Sequence, residues 1–412
     1  MANAISFILI FLFLFPVFAQ SAIDYNDIQF KVAIYGPSDE IFSWWGHAAL
    51  IADYFRWNFE IAYDWGINSH PNESYLRDFI DGLIRYKVTS GYHRVESYME
   101  EDRDIAIYTL NLDNKAKEIM LAYVQNRVLP ENCYYEYHEF LDNCSTGVRD
   151  VLDMGTYGQL KAAFDNIPGR LTYRQQVMRY SWFRPLENWL KGFLMGQNLD
   201  KEITVWDEMF LPEEIARNIV DFKYIDSSGR ERNLVSSVQL LSSSKNRFPV
   251  LFKPLNTWPF FLAAGLFVMV LLFLVKAVQK KHPLFGRIIF YSSQCIFGII
   301  MGLLGIILII GLSMNTDYIE QNINILFVNP LLLIILPLGI LAAVNVKIIF
   351  SPAKLLGIIW TCVFLLGCLT MLPFFYQQNQ SVCALILPIA FAFSCIPNFV
   401  LKLVNVCPHL KR

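Results

Sequence analysis

Cys144 is the residue on which chemistry could turn. It lies in Leu141-Asp142-Asn143-Cys144-Ser145-Thr146-Gly147. Asp142 or Asn143 is a natural helix cap there, which places the thiol in a first helical turn. Unpaired backbone N–H groups and the positive end of the helix dipole, contributed by Asn143 and Ser145 at the helix start, favour a thiolate and would hold an oxyanion. Val148, Val151 and Leu152 fall on the same helical face as Cys144, so the thiol turns toward packed structure where a base could stand. Two plainer readings compete: a buried free cysteine, and a disulfide with Cys133. A metal site from Cys133, His138 and Cys144 lacks the paired spacing of a structural zinc centre. No metal and no cofactor is expected.

The first region holds four histidines, His47, His70, His93 and His138. His47 lies in Ser43-Trp44-Trp45-Gly46-His47-Ala48-Ala49-Leu50, where a glycine beside a histidine at the head of an apolar strand leaves room for substrate. Its plainer reading is a core or surface histidine. His70 before Pro71 and His93 after Gly91 read as turn residues, and His138 is the second candidate base. Asp64, in Tyr63-Asp64-Trp65-Gly66, closes the next strand and could orient an imidazole, or simply cap a turn. The aromatic residues Trp44, Trp45, Phe55, Trp57, Tyr63 and Trp65 suit a core, and beside a site they equally suit acyl chains.

The elements that must position these groups follow from periodicity. Residues 28–36, 47–53, 56–64, 84–90 and 104–112 alternate as strands. Helical spacing runs over 115–128, from Asp142-Asn143 onward, over 172–195 and over 213–222. Strands first and helices later predict an α+β region. Ser236–Lys245, with its serine run, reads as a linker.

The chain has 412 residues, a formal charge of −2, 55% hydrophobic and 17% charged residues. That charge points to no nucleic-acid partner. The apolar excess sits in five stretches near 258–276, 288–313, 326–346, 355–376 and 382–401, each about long enough to cross a ~30 Å hydrocarbon core. Lys276, Lys280, Lys281, His282 and Arg287 follow the first, Lys347 and Lys354 the third, and Lys402, Lys411 and Arg412 the fifth. The loops around Asn315–Asn324 and Gln377–Gln380 carry no Lys or Arg. The positive-inside rule therefore puts the first region outside the cytoplasmic membrane. The apolar run Ile5–Phe18, with Val17 and Ala19 placed for cleavage, reads as a signal peptide or an uncleaved anchor. The expected organisation is 1–19 signal, 20–235 extracytoplasmic domain with a helical extension, 236–255 linker and 256–412 a bundle of five transmembrane helices. No Asp, Glu, Lys or Arg lies mid-span, which argues against an ion-coupled carrier.

Taken together, the motifs resemble the bacterial Lnb family of lipoprotein acyltransferases. They are Trp45-Gly46-His47-Ala48, Tyr63-Asp64-Trp65-Gly66, Phe79-Ile80-Asp81-Gly82, Leu110-Asn111-Leu112, Asp142-Asn143-Cys144-Ser145-Thr146, Arg149-Asp150 and Trp206–Pro212, with Asn322-Ile323-Asn324 and Asn329-Pro330 at the outer end of the third span. Where relatives carry Asn-Tyr-Gly, this chain has Asp64-Trp65-Gly66. The resemblance implies a permuted papain-like domain in which the His strand precedes the Cys helix. It implies Cys144, His47 and Asp64 as catalytic residues, with Trp44, Trp45, Asn322 and Asn324 toward substrate. The implied partners are membrane lipid and diacylated lipoproteins, one acyl chain moving from the glyceryl group to the α-amine of the N-terminal cysteine. Two readings rival it: a cell-wall cysteine peptidase or amidase, and a non-enzymatic assembly domain on a membrane anchor.

Overall fold

The computed structural model describes residues 23–40, 43–68, 85–313, 319–346 and 351–397. The signal segment, His70, the Phe79–Gly82 motif, Lys347, Lys402, Cys407, Lys411 and Arg412 lie outside these residues. Alternating apolar residues build β1 (Gln29–Tyr35), β2 (His47–Tyr54), β3 (Phe59–Asn68), β4 (Arg85–Gly91) and β5 (Ile105–Leu110). β3 starts later than its alternation suggests, because Phe55–Trp57 form a 3₁₀ turn closed by Asn58 in the left-handed region. The short β6 (Tyr134–Glu136), β7 (Lys223–Ile225) and β8 (Glu231–Asn233) follow, then β9 (Val235–Ser242). One antiparallel sheet runs in the order β6-β4-β3-β2-β1-β5-β9, and β7 and β8 form a separate ribbon.

β9 corrects the first part of the linker expectation, over 236–242 of 236–255. The serine-rich segment pairs antiparallel with β5, from Leu110↔Val235 to Ile105↔Ser242. The outer edge of β5 offers unpaired N–H and C=O groups, and backbone pairing needs no particular side chain. Polar residues on the exposed edge strand hid it from an apolar pattern search.

The helices of this region are α1 (Val95–Glu100), α2 (Asn114–Arg127), α3 (Cys144–Gly155), α4 (Gln159–Phe164), α5 (Tyr173–Met178), α6 (Pro185–Leu194), α7 (Val205–Glu208) and α8 (Pro212–Ile219). The single helical pattern over 172–195 is thus two helices, because Pro185 lacks an N–H and starts α6 anew. Strand period two divides the core. Phe30, Val32, Ala48, Leu50 and Trp65 face α2, α3 and α8, through Met120, Val148, Val151, Leu152 and Ile215. Ala33, Tyr35, Ala49, Ile51 and Ile107 face Val95 and Tyr98 of α1. The N-terminal region is a mixed α/β unit.

The C-terminal region is helical: α9 (Trp258–Lys281), α10 (Pro283–Ser313), α11 (Ile335–Ala343), α12 (Pro352–Leu369) and α13 (Gln380–Phe393). Among the described residues, four stretches are long and apolar enough to cross a membrane: α9, α10, Ile323–Ala343 and α12. The third includes two 3₁₀ turns ahead of α11. The fifth apolar stretch contributes α13, whose 14 residues fall short of the roughly 20 needed for a crossing.

The two regions meet at the helix ends whose loops carry no Lys or Arg. Gln197 Nε2 donates to Gln321 Oε1 (2.9 Å) and the Gln378 N–H to Asp200 Oδ2 (3.0 Å), whereas Lys276, Lys280 and Lys281 sit at the far end of α9. The last carbonyls of α6 have no partners within the helix. Arg174 donates to Gly192 O (2.7 Å), Met195 O (2.9 Å) and Gly196 O (3.0 Å). From the membrane side, Asn322 Nδ2 donates to Phe193 O (2.8 Å) and Leu194 O (2.9 Å), and Asn324 Nδ2 to Phe193 O (3.0 Å). At Gly196 the backbones come so close that a Cβ would strike the carbonyl oxygens of Ile319 and Glu320. Gly196→Ala should therefore lose about 1–3 kcal/mol by overpacking, read as a lower melting temperature of the full-length protein in detergent. An unchanged melting curve would show that this close approach is no constraint.

Candidate active site

Asn143 starts α3. Its Oδ1 accepts the Ser145 and Thr146 N–H groups (2.8 and 3.0 Å), and Thr146 Oγ1 accepts the Asn143 N–H (2.7 Å), closing a capping box. Its Nδ2 donates to Glu139 O (2.7 Å) and Phe210 O (3.0 Å). The residue is buried with every polar atom engaged. The Ser145 N–H is consumed by this cap, and the Ser145 hydroxyl lies 3.9 Å from the Cys144 sulfur. The Cys144 N–H at the first helical position is left without a partner among the described residues.

Cys144 lies at one end of the sheet, against Gly66. That glycine has φ +77°, and a Cβ there would sit 3.7 Å from the Cys144 Cβ. His47 opens β2 and Asp64 lies on β3, where Ala49 pairs with Asp64. Alternation puts His47, Ala49 and Asp64 on one face, and His47 Nε2 lies 3.0 Å from Asp64 Oδ1. With Nε2 committed to the carboxylate, Nδ1 is the ring nitrogen left for Cys144. The Tyr35 ring stacks on His47 at 6.0 Å and 20°, and Tyr98 meets it edge-on at 6.3 Å. Arg94 Nε stands 3.6 Å from the second carboxylate oxygen.

Burial alone would push the Cys144 thiol up and the His47 imidazolium down. Their mutual attraction reverses both. The charge of His47, a hydrogen bond from it, the Ala48 N–H and the Ser145 hydroxyl hold the thiol below its ordinary value. The Cys144 thiolate and the hydrogen bond to Asp64 hold the imidazole well above its usual range. The site is thus arranged for a thiolate–imidazolium pair, the reactive form of a cysteine nucleophile.

The other expected residues divide. Cys133 is a free, buried thiol whose Sγ lies 3.7 Å from Pro130 O, so the two cysteines do not pair. His138 Nδ1 accepts the Phe140 and Leu141 N–H groups (both 3.2 Å), and His93 pairs with Glu60 (3.3 Å). Trp44 and Trp45 lead into His47 and lie under Lys191, at 4.6 and 5.2 Å from its Nζ. Burial brings the Lys191 ammonium down to about 7. Asn322 and Asn324 are occupied by the carbonyls of α6, within the seam between the regions. Sequence reasoning missed Arg94, Tyr35, Tyr98 and the Ala48 N–H. The first three carry no motif, and a backbone donor carries no residue-type signal at all.

A thiol held down by its neighbours reacts at lower pH than a free one. Alkylation of Cys144 by iodoacetamide, followed on its peptide by mass spectrometry, should have its midpoint below the ordinary ~8.5 of a thiol. His47→Ala removes the stabilising cation while burial remains, so the midpoint should rise. A wild-type midpoint at or above that of a free thiol would dismantle the ion pair.

Residues 15–178 match the family model described as the Lnb N-terminal periplasmic domain. No curated protein and no solved structure matches the chain significantly. The matched segment contains His47, Asp64, Asn143 and Cys144 and ends before α6 and the apolar helices. By this match the N-terminal region belongs to the Lnb N-terminal periplasmic domain family, borne here by a membrane protein with a periplasmic domain.

Proposed function

We propose that this protein is a cysteine-dependent acyltransferase, its site a permuted papain-like one, that moves one fatty acyl chain of a diacylated lipoprotein from the glyceryl group to the α-amine of the N-terminal cysteine. The observation that carries the reading is the Cys144–His47–Asp64 alignment on a domain seated against the outer ends of apolar helices. A soluble hydrolase would not need the seat, and a mere anchor would not need the pair.

The steps follow from the groups in place. His47 accepts the Cys144 thiol proton, and the thiolate attacks the ester carbonyl carbon. The Cys144 N–H, pointing out of a capped helix start, donates to the oxyanion. The tetrahedral adduct collapses, the C–O bond to the glyceryl group breaks, and the His47 imidazolium gives its proton to the departing oxygen. The α-amine then attacks the thioester and loses a proton to His47, and Cys144 leaves as the thiolate. Asp64 holds the ring orientation throughout and supports the imidazolium. Arg94 in turn restrains the carboxylate.

The test is mass spectrometry of lipoprotein N-termini from a host lacking its own N-acylating enzyme. Wild-type protein should shift a chain from the glyceryl group to the amine, and Cys144→Ala should not. His47→Ala should lower the rate by about 10²–10⁴-fold, and Asp64→Asn by less, since it keeps the ring in place without the charge. Unchanged N-termini with correctly inserted wild-type protein would overturn the reading and turn attention to wall-peptide hydrolysis.

A further inference from the structure

The apolar helices hold a groove that the chemistry above does not use. Its floor is α13, and its walls are α9 on one side and α12 on the other, enclosing about 420 Å³. Leu262, Leu266 and Met269 form one wall at helical spacing. Ala384 and Pro388 keep the floor low. Phe364 and Phe391, whose rings lie 5.5 Å apart, line the end farther from the periplasmic domain. None of the described lining residues is charged; Gln380, beside Trp258 at the outer rim, brings an amide, and the Cys383 thiol on the floor is engaged by Thr370 (3.6 Å). From Gln380 to Phe391 the floor is about 16 Å long at 1.5 Å per residue. That is about half of a ~30 Å hydrocarbon core, the depth of one leaflet.

The rim leads toward the reacting pair. α6 lies across it: Trp189 Nε1 donates to Ser381 O (3.2 Å), next to Gln380, and the Trp189 ring packs on Phe261 (6.1 Å). Two residues on, about 200° around the helix, Lys191 lies over Trp44 and Trp45, which precede Gly46-His47. One helix therefore separates the mouth of the groove from the aromatic approach to His47.

We infer that this groove holds one acyl chain of the diacylglyceryl group on which Cys144 acts, with the glyceryl end at the rim under α6. The inference rests on the acyltransferase reading for the identity of the lipid. Its grounds are the uncharged lining, the length of one leaflet, the aromatic inner end and the route over α6. Leu266 is 40% exposed on the open side of the groove, so a chain could enter sideways from a surrounding bilayer without leaving it.

The experiment uses full-length Cys144→Ala protein in bacterial membranes grown on a diazirine fatty acid, with cross-linked peptides mapped by mass spectrometry. Label at Leu262, Leu266 and Leu387 should exceed, several-fold, that at the lipid-exposed Ile296, Ile300 and Ile307 of α10. The adduct should carry a diacylglyceryl-cysteine peptide. Filling the floor with Ala384→Trp should abolish the excess while leaving α10 labelling and the pH profile of Cys144 alkylation, measured with Cys144 present, unchanged. Equal labelling of both surfaces, or excess label surviving Ala384→Trp, would overturn the groove as a chain site. A phospholipid adduct alone would overturn the lipid's identity. If label concentrates in the groove but wild-type protein transfers no chain, occupancy stands and the assignment to the reaction falls.

Discussion

The last carbonyl groups of a helix have no partners of their own, and at the end of α6 they are satisfied from two directions. Arg174, itself paired with Asp200 at 2.7 Å, reaches them from the periplasmic domain. Asn322 and Asn324 reach them from the membrane helices. A buried carbonyl without a donor costs about 1–3 kcal/mol, so neither half of the chain can move off α6 without leaving several such groups bare. Side-chain amides suit the membrane side of this seam. They donate without a charge, and an uncompensated charge at the edge of a hydrocarbon layer would be expensive.

That seam sets where the proposed chemistry would happen. α6 carries Trp189 toward the membrane helices and Lys191 toward Trp44 and Trp45, and the chain then runs through Gly46 into His47. The Cys144–His47 pair is thereby held beside the outer ends of the apolar helices, the height at which the ester of the proposed lipid-anchored substrate would lie.

Within the site, Asn143 plays the part that the amides play at the seam. It satisfies the Ser145 and Thr146 N–H groups and two carbonyls from neighbouring segments at once. Cys144 is thereby fixed with its own N–H unpartnered among the described residues and its sulfur beside His47. Burial opposes both charges of the pair, so the charged state depends on their closeness and on the Asp64 hydrogen bond. A small displacement of α3 would return each group toward its neutral form.

Much of this was legible in residue types and their spacing. Helix capping depends on neighbours three residues apart, so Asn143 and Cys144 could be placed from Asp142–Thr146 alone. Strand period two was enough to put His47 at the head of β2, but Asp64, expected to close its strand, lies inside β3, which pairs on to Asn68. The loops without Lys or Arg gave the orientation, because that rule depends on composition and not on contacts. The serines of 236–242 misled, since an edge strand is made by backbone pairing that serines permit as well as valines. Asn322 and Asn324 were visible as residues, yet their partners, the carbonyls of α6, lie more than a hundred positions away.

The sequence by itself thus placed Cys144 and His47, the proposed nucleophile and base, in their local elements and set the side of the membrane, because each depends on short-range periodicity or on composition. Only the tertiary structure decided that His47 Nε2 meets Asp64, that Arg94, Tyr35 and the Ala48 N–H complete the pair, and that α6 joins the domain to the membrane helices. Those facts depend on register between strands and on helix ends meeting across long separations, where any donor of the right reach would serve and residue type alone selects none.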